Sequence, residues 1–172
     1  ILSGIITNYG ETCDALIFCG DGIGDLVCAL DIAKTDKKFA KKLPPVIAFA
    51  RGNGDPGSYP LDVRTFISVP ARQLLTVNGH NLLIVHGHNE GVDYSRENLG
   101  LEMQIAGSDT AFYGHTHVAA EEIEGNYKFV NAGSCARPRN GQPAGFAIAT
   151  VEKNFVDIAF IKMEMDKNPS YC

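Results

Sequence analysis

The chain has 172 residues with 20 acidic against 15 basic side chains, and its formal charge of −5 excludes broad electrostatic attraction to nucleic acid as its basis. It is 45% hydrophobic, yet no apolar run approaches the roughly 20 residues of a membrane span, so the composition is that of one globular domain over 1–172. Five cysteines, an odd number with no Cys-x-x-Cys pair, exclude a zinc knuckle or disulfide framework and fit a reducing cytoplasm.

In chain order, residues 1–3 read as the tail of a strand and 4–9 as the end of a helix, with no room between them for the rest of a strand-to-helix crossover. Residues therefore look absent at the Ser3–Gly4 junction. The apolar run 15–19, closed by Gly20-Asp21, predicts a buried strand ending in a functional turn. Ile23, Leu26, Val27, Leu30 and Ala33 recur at helical spacing and predict a helix over 23–39, stopped by lysines and Pro44-Pro45. A second buried strand over 45–50 delivers residues 51–55 to a loop rich in Gly, Asn, Asp and Pro.

Short strands follow at 65–69, 72–77 and 81–85, the last two joined by the hairpin signal Asn78-Gly79, with His80 beyond it reading as solvated. A helix over 95–106 precedes a strand at 109–113 that leads into Gly114-His115-Thr116-His117. If the backbone stays extended there, the two imidazoles point the same way and reach one metal cluster. Strands at 121–123, 127–130, 146–151 and 155–161 complete a mixed α/β two-sheet β-sandwich flanked by helices.

Gly20-Asp21, Gly52-Asn53-Gly54-Asp55, His86-Gly87-His88 and Gly114-His115-Thr116-His117 each lie just after an apolar run, where an open α/β sheet gathers its functional groups. Carboxylate, amide oxygen and imidazole form a set suited to manganese, iron, zinc or nickel rather than to thiolate-seeking ions. A carboxylate such as Asp21 has two oxygens and a negative charge, so it can bridge two cations and offset their repulsion. Cys19 and Cys28 read as small buried hydrophobes, and Cys135 has no activating base adjacent in sequence.

This series, together with Val130-Asn131-Ala132-Gly133-Ser134 and Arg137-Pro138-Arg139, resembles the calcineurin-like metallophosphoesterase superfamily over nearly the whole chain. The resemblance is to its small prokaryotic phosphodiesterase branch. It implies a four-layer αββα fold and two divalent metal ions, manganese first, with nickel, iron or zinc compatible. It further implies that Asp21 bridges the pair, that Asn53, His86 and His115 complete one site, and that His117 serves the other with an Asp-x-His motif. The chain lacks that motif, which the resemblance places at the Ser3–Gly4 junction. In many members a histidine follows the metal-binding Asn and protonates the leaving group, but Gly54 stands there in this chain. Asp55 and His88 are then the local candidates for general acid, and a histidine suits the role better because it titrates near neutrality. Arg137 and Arg139 offer guanidinium forks to a phosphate, although exposed arginines are usually solvated.

The activity so implied is hydrolysis of a phosphate ester, a small phosphodiester first, by metal-activated hydroxide in the cytoplasm. The expected partner is a small phosphorylated substrate, with no membrane and no nucleic acid, and a homo-oligomer is left open. The alternative is a noncatalytic protein-interaction scaffold of the same fold, as in the retromer subunit that resembles these enzymes.

Overall fold

The computed structural model describes residues 1–164, so Cys172 lies outside the described residues. The first element is a helix, α1 (Leu2–Tyr9), and not the strand tail expected at 1–3. Leu2 and Ile6 lie one turn apart and are both buried in one cluster with Ile23 and Leu26, so helical packing extends back through the Ser3–Gly4 junction. A 3-10 turn (Gly10–Thr12) leads to β1 (Ala15–Phe18), which pairs in parallel with β2 (Val46–Phe49).

Between them the helix expected over 23–39 is broken in two, α2 (Ile23–Thr35) and α3 (Lys37–Ala40). The break is at Asp36, whose extended backbone ends α2 while its carboxylate accepts the N–H groups of Lys38 and Phe39 and caps α3. A short antiparallel pair, β3 (Ser58–Pro60) and β4 (Phe66–Ser68), follows the loop after β2.

The main sheet contains β5 (Arg72–Val77), β6 (His80–Val85), β7 (Thr110–Tyr113), β8 (Ala119–Glu124) and β9 (Tyr127–Ala132), in the order β5-β6-β7-β9-β8. Its three central strands are parallel, and its outer pairs are antiparallel. The β5–β6 turn is the two-residue hairpin expected, with Asn78 and Gly79 at φ 51° and 91°. His80 is not the solvated side chain expected there. It is half-buried, with Nδ1 2.9 Å from Asp109 Oδ2 at the foot of β7. The helix α4 (Glu97–Ala106) precedes β7, and β10 (Gly145–Glu152) and β11 (Phe155–Lys162) form a final hairpin.

Backbone pairing thus divides the strands into four sheets, not two, and the pieces meet through side chains. The alternation of a pleated strand decides which side meets what. Leu16, Phe18, Ile47 and Phe49 face α1 and α2, whereas Ile17, Cys19, Ala48 and Ala50 face the main sheet at Ile84 and Leu75. On the main sheet, Leu83, Val85, Ala111, Tyr113 and Phe129 pack on Leu99 and Met103 of α4. Leu82, Phe112 and Val130 point the other way, to Ile17 and to Ala149, Val151 and Ile158 of the β10–β11 hairpin. Among the described residues no helix is long and apolar enough to cross a membrane.

Because Asp36 is the sole cap of α3 and lies on the surface, Asp36→Ala should cost about 1 kcal/mol. Urea unfolding should show a lower midpoint with an unchanged m-value; an unchanged midpoint would mean that the cap adds nothing.

Candidate metal centre

The parallel strands β1, β2, β6 and β7 all end on one side, so the loops that follow them meet. Asp21 and Asn53 come from two loops whose backbones touch. A Cβ on Gly52 would lie 2.1 Å from Asp21 Oδ1, and one on Gly20 would lie 2.5 Å from the Gly52 nitrogen. Any residue other than glycine would force these loops apart.

Asp55 holds them together. Its Oδ2 accepts the N–H groups of Asp21 at 2.7 Å and Gly52 at 3.0 Å, while Oδ1 accepts those of Gly22 at 3.0 Å and Ile23 at 3.1 Å. The carboxylate therefore sits at the N-terminus of α2, where the helix dipole favours an anion. Burial alone would raise the Asp55 carboxyl, but the N–H groups of Gly22, Gly52, Ile23 and Asp21 outweigh it and hold the group below its ordinary 3.8.

His86 is 2% exposed, and its Nδ1 lies 2.6 Å from the Cys19 carbonyl oxygen. A carbonyl oxygen only accepts, so Nδ1 carries the proton and Nε2 the lone pair. Facing Nε2 are Asn53 Oδ1 at 3.2 Å, with the amide oriented oxygen-inward, Asp21 Oδ2 at 3.3 Å and His115 Nδ1 at 3.3 Å. Burial lowers the His86 pKa most, opposed by the Cys19 carbonyl and Asp21 and reinforced by His115 and His88. The ring is then neutral near pH 7, and its approach to Asp21 is not an ion pair.

His115 is oriented in the same manner. Its Nε2 lies 2.8 Å from Asp93 Oδ2, an acceptor that draws a ring proton to Nε2 and turns Nδ1 towards His86. Two imidazole nitrogens, a carboxylate oxygen and an amide oxygen thus converge on one point of the structure. Among the described residues no group of three or more His, Cys, Asp or Glu side chains is by itself arranged to hold a metal ion. The contacts are spokes to His86 Nε2, and one of the donors is an amide. Two imidazoles, a carboxylate and an amide oxygen are donor types that cations of the manganese-to-zinc series take, and the far nitrogen of each imidazole is already anchored.

His117 stands apart. Its Nδ1 is 2.7 Å from the Arg137 carbonyl oxygen, which leaves Nε2 with the lone pair. No hydrogen bond or ring contact joins it to the His86 group among the described residues. The extended backbone expected at 114–117 is not formed: His115 and His117 have φ 67° and 59°, and the Thr116 N–H closes onto the Gly114 carbonyl at 2.8 Å. The cause is Asn131, fully buried, which donates to the Gly114 carbonyl at 2.8 Å and to Thr116 Oγ1 at 3.0 Å while accepting from Gly133 N–H at 2.9 Å.

The His88 ring lies 5.2 Å from that of His86 and 6.2 Å from that of His115, and its Nδ1 is buried with no hydrogen-bond partner among the described residues. Arg137 and Arg139 are exposed, and it is their backbones that engage His117. Burial pushes the Cys19 thiol up to about 12 and raises that of Cys135, so both stay protonated. Sequence reasoning missed Asp93 and the carbonyls of Cys19 and Arg137. An acid seven residues after His86 follows no ligand spacing, and a carbonyl has no residue signature at all.

Residues 3–154 match the calcineurin-like phosphoesterase superfamily domain, and the chain belongs to that superfamily of metal-dependent phosphoesterases, whose members typically bind divalent metals. Similar solved structures agree on the fold. A conserved protein of Streptococcus pneumoniae TIGR4, described as a predicted phosphoesterase, is 21% identical with a TM-score of 0.67, covering 93% of this chain and 82% of that one. Wild-type Vps29 of Entamoeba histolytica complexed with zinc is 14% identical with a TM-score of 0.61, covering 92% and 88%. A Thermotoga maritima protein solved by NMR is 20% identical with a TM-score of 0.55, covering 92% and 86%. No curated protein matches the chain in sequence.

Replacing Asp55 by Ala leaves the loop amides unpaired and should destabilise the protein by about 2–4 kcal/mol at pH 7. The folded-state pKa lies below the unfolded one, so this contribution is complete above pH 4 or so and is lost as pH falls through the folded value. Stability curves of wild type and variant should therefore converge in acid; parallel curves would count against the charged bond network.

Proposed function

We propose that this chain hydrolyses phosphate esters, preferring a small phosphodiester, with a divalent cation held by Asp21, Asn53, His86 and His115. The observation that carries the reading is the approach of Asn53 Oδ1, Asp21 Oδ2 and His115 Nδ1 to within 3.2–3.3 Å of His86 Nε2, with the ring protons fixed outward by Cys19 and Asp93. A cation bound there supplies Lewis acidity to a phosphoryl oxygen and to water.

The remaining roles belong to the chain's own groups. Asp55 stays an anion committed to backbone N–H groups, so it positions the Asp21 and Asn53 loops and has no proton to give. His88, with its ring 5.2 Å from that of His86 and 6.2 Å from that of His115, is the proton donor to the leaving oxygen. Arg137 and Arg139, exposed beside His117, meet the charge of the arriving ester. The mixed oxygen and nitrogen donors accept manganese, iron, zinc or nickel, and manganese is the first choice by the superfamily resemblance. A second ion at His117 takes the Asp-x-His motif that superfamily resemblance supplies and this chain lacks. The packing of α4, the main sheet, the β1–β2 pair and α1–α2 in succession supports a four-layer αββα order. The acidic balance and reduced thiols suit a cytoplasmic protein.

A second reading, a noncatalytic protein-interaction scaffold of the same fold, has its own support in the missing motif. Hydrolysis of bis(4-nitrophenyl) phosphate with added Mn²⁺ separates the two. Wild type should turn over while Asp21→Ala does not, and wild-type activity no greater than the variant's would sink the enzyme reading. Counting ligands, the 172-residue chain should take up about one Mn²⁺ by calorimetry; two tight ions would place a second donor set within it.

A further inference from the structure

The rings of His86 and His115 face each other across 3.3 Å, Nε2 to Nδ1, and this contact can defeat the site. If the His115 proton sat on Nδ1, it would be donated to His86 Nε2, and one hydrogen bond would consume the two lone pairs that a cation needs. The His115 proton is drawn to the opposite nitrogen by Asp93, whose Oδ2 lies 2.8 Å from Nε2.

We infer that Asp93 is a positioning residue: by accepting the Nε2 proton it fixes the His115 tautomer and keeps the two imidazoles from hydrogen-bonding to each other. The inference rests on the reading that Asp21, Asn53, His86 and His115 hold a cation. Asp93 is placed by its neighbour Val92, which is 2% exposed and packed into the cluster of Leu99, Met103 and Tyr113. Val92 is secured further by its own N–H to the Gly87 carbonyl and by Arg96, which donates to the Val92 carbonyl. Gly87 has φ 108°, and a Cβ there would come within 2.7 Å of the Val92 side chain, so the loop closes tightly on Val92 and holds Asp93 across from His115. Because 45% of the Asp93 side chain is exposed, its removal should leave the fold intact.

The test compares wild type with Asp93→Ala and Asp93→Asn. An amide oxygen still accepts the Nε2 proton, so the Asn variant should behave nearly as wild type. Two-bond ¹H–¹⁵N spectra of the metal-free proteins should show His115 protonated at Nε2 in wild type and Asp93→Asn, and shifted towards the Nδ1 form in Asp93→Ala. Calorimetric titration with Mn²⁺ should show affinity falling by about 10- to 100-fold in Asp93→Ala, with most of it restored in Asp93→Asn. Melting temperatures of the metal-free proteins should agree. Overturning results are an unchanged His115 tautomer in Asp93→Ala, or equal Mn²⁺ affinity in wild type and Asp93→Ala. Wild type that binds no Mn²⁺ would remove the cation reading alone, because the tautomer measurement still decides what Asp93 does.

Discussion

The hydrogen bond from His86 Nδ1 to the Cys19 carbonyl is the contact on which the rest of the centre depends. It joins the C-terminal end of β6 to that of β1, across the boundary between two sheets that share no backbone ladder. It also decides the chemistry of the ring, because a proton committed to a carbonyl leaves Nε2 as a lone pair aimed at Asp21 and Asn53. Gly114 permits the approach: a Cβ there would sit 3.3 Å from both the Cys19 carbonyl oxygen and its Cβ. In the buried setting of His86 such a bond is worth about 1 kcal/mol net when made and more when broken, since either group left unpaired costs its full desolvation.

Most of the fold was legible because it rests on pleat alternation, which a linear sequence carries openly. Residues 15–19 and 46–50 read as buried strands since both faces are covered, one by helices and the other by the main sheet. The two failures at the N-terminal half have local causes. The Asp36 carboxylate ends one helix and starts another within a run whose apolar spacing continues, and periodicity does not register a cap. Residues 1–3 were too few to show a period, and it is the packing of Leu2 beside Ile6 against α2 that marks the segment as helical. The division into four ladders was equally invisible, because spacing along one strand carries no account of which strands exchange hydrogen bonds.

The site was legible as residue types and illegible as geometry. Asp21, Asn53, His86 and His115 stood out because each follows a strand, and parallel strands deliver their C-terminal ends to one place. The orientation of each donor comes from partners that no motif encodes: a carbonyl for His86, a carbonyl for His117 and an exposed acid for His115. The paired imidazoles at 115 and 117 show the difference sharply. Their spacing suggests a strand with both rings on one face, yet Asn131, seventeen and fifteen residues away from the groups it grips, folds the segment into left-handed turns.

Those left-handed residues explain why the loops are so heavily tied. Asp21, His115 and His117 are three of the five non-glycine residues with positive φ among those described, with Asn78 and Asn140, and all five are of the Asn, Asp and His types most often found there. Strain of this kind costs about 1–3 kcal/mol per residue and persists only where the surroundings over-determine it. Here Asp55 gathers the amides around Asp21, and Asn131 clamps the segment that carries both histidines, so a half-buried carboxylate and a buried amide meet the cost from outside the donor set. The consequence is a set of donors whose directions are settled by the folded chain and not by the ligand. A ligand that uses these donors then takes little further conformational freedom from the chain on binding.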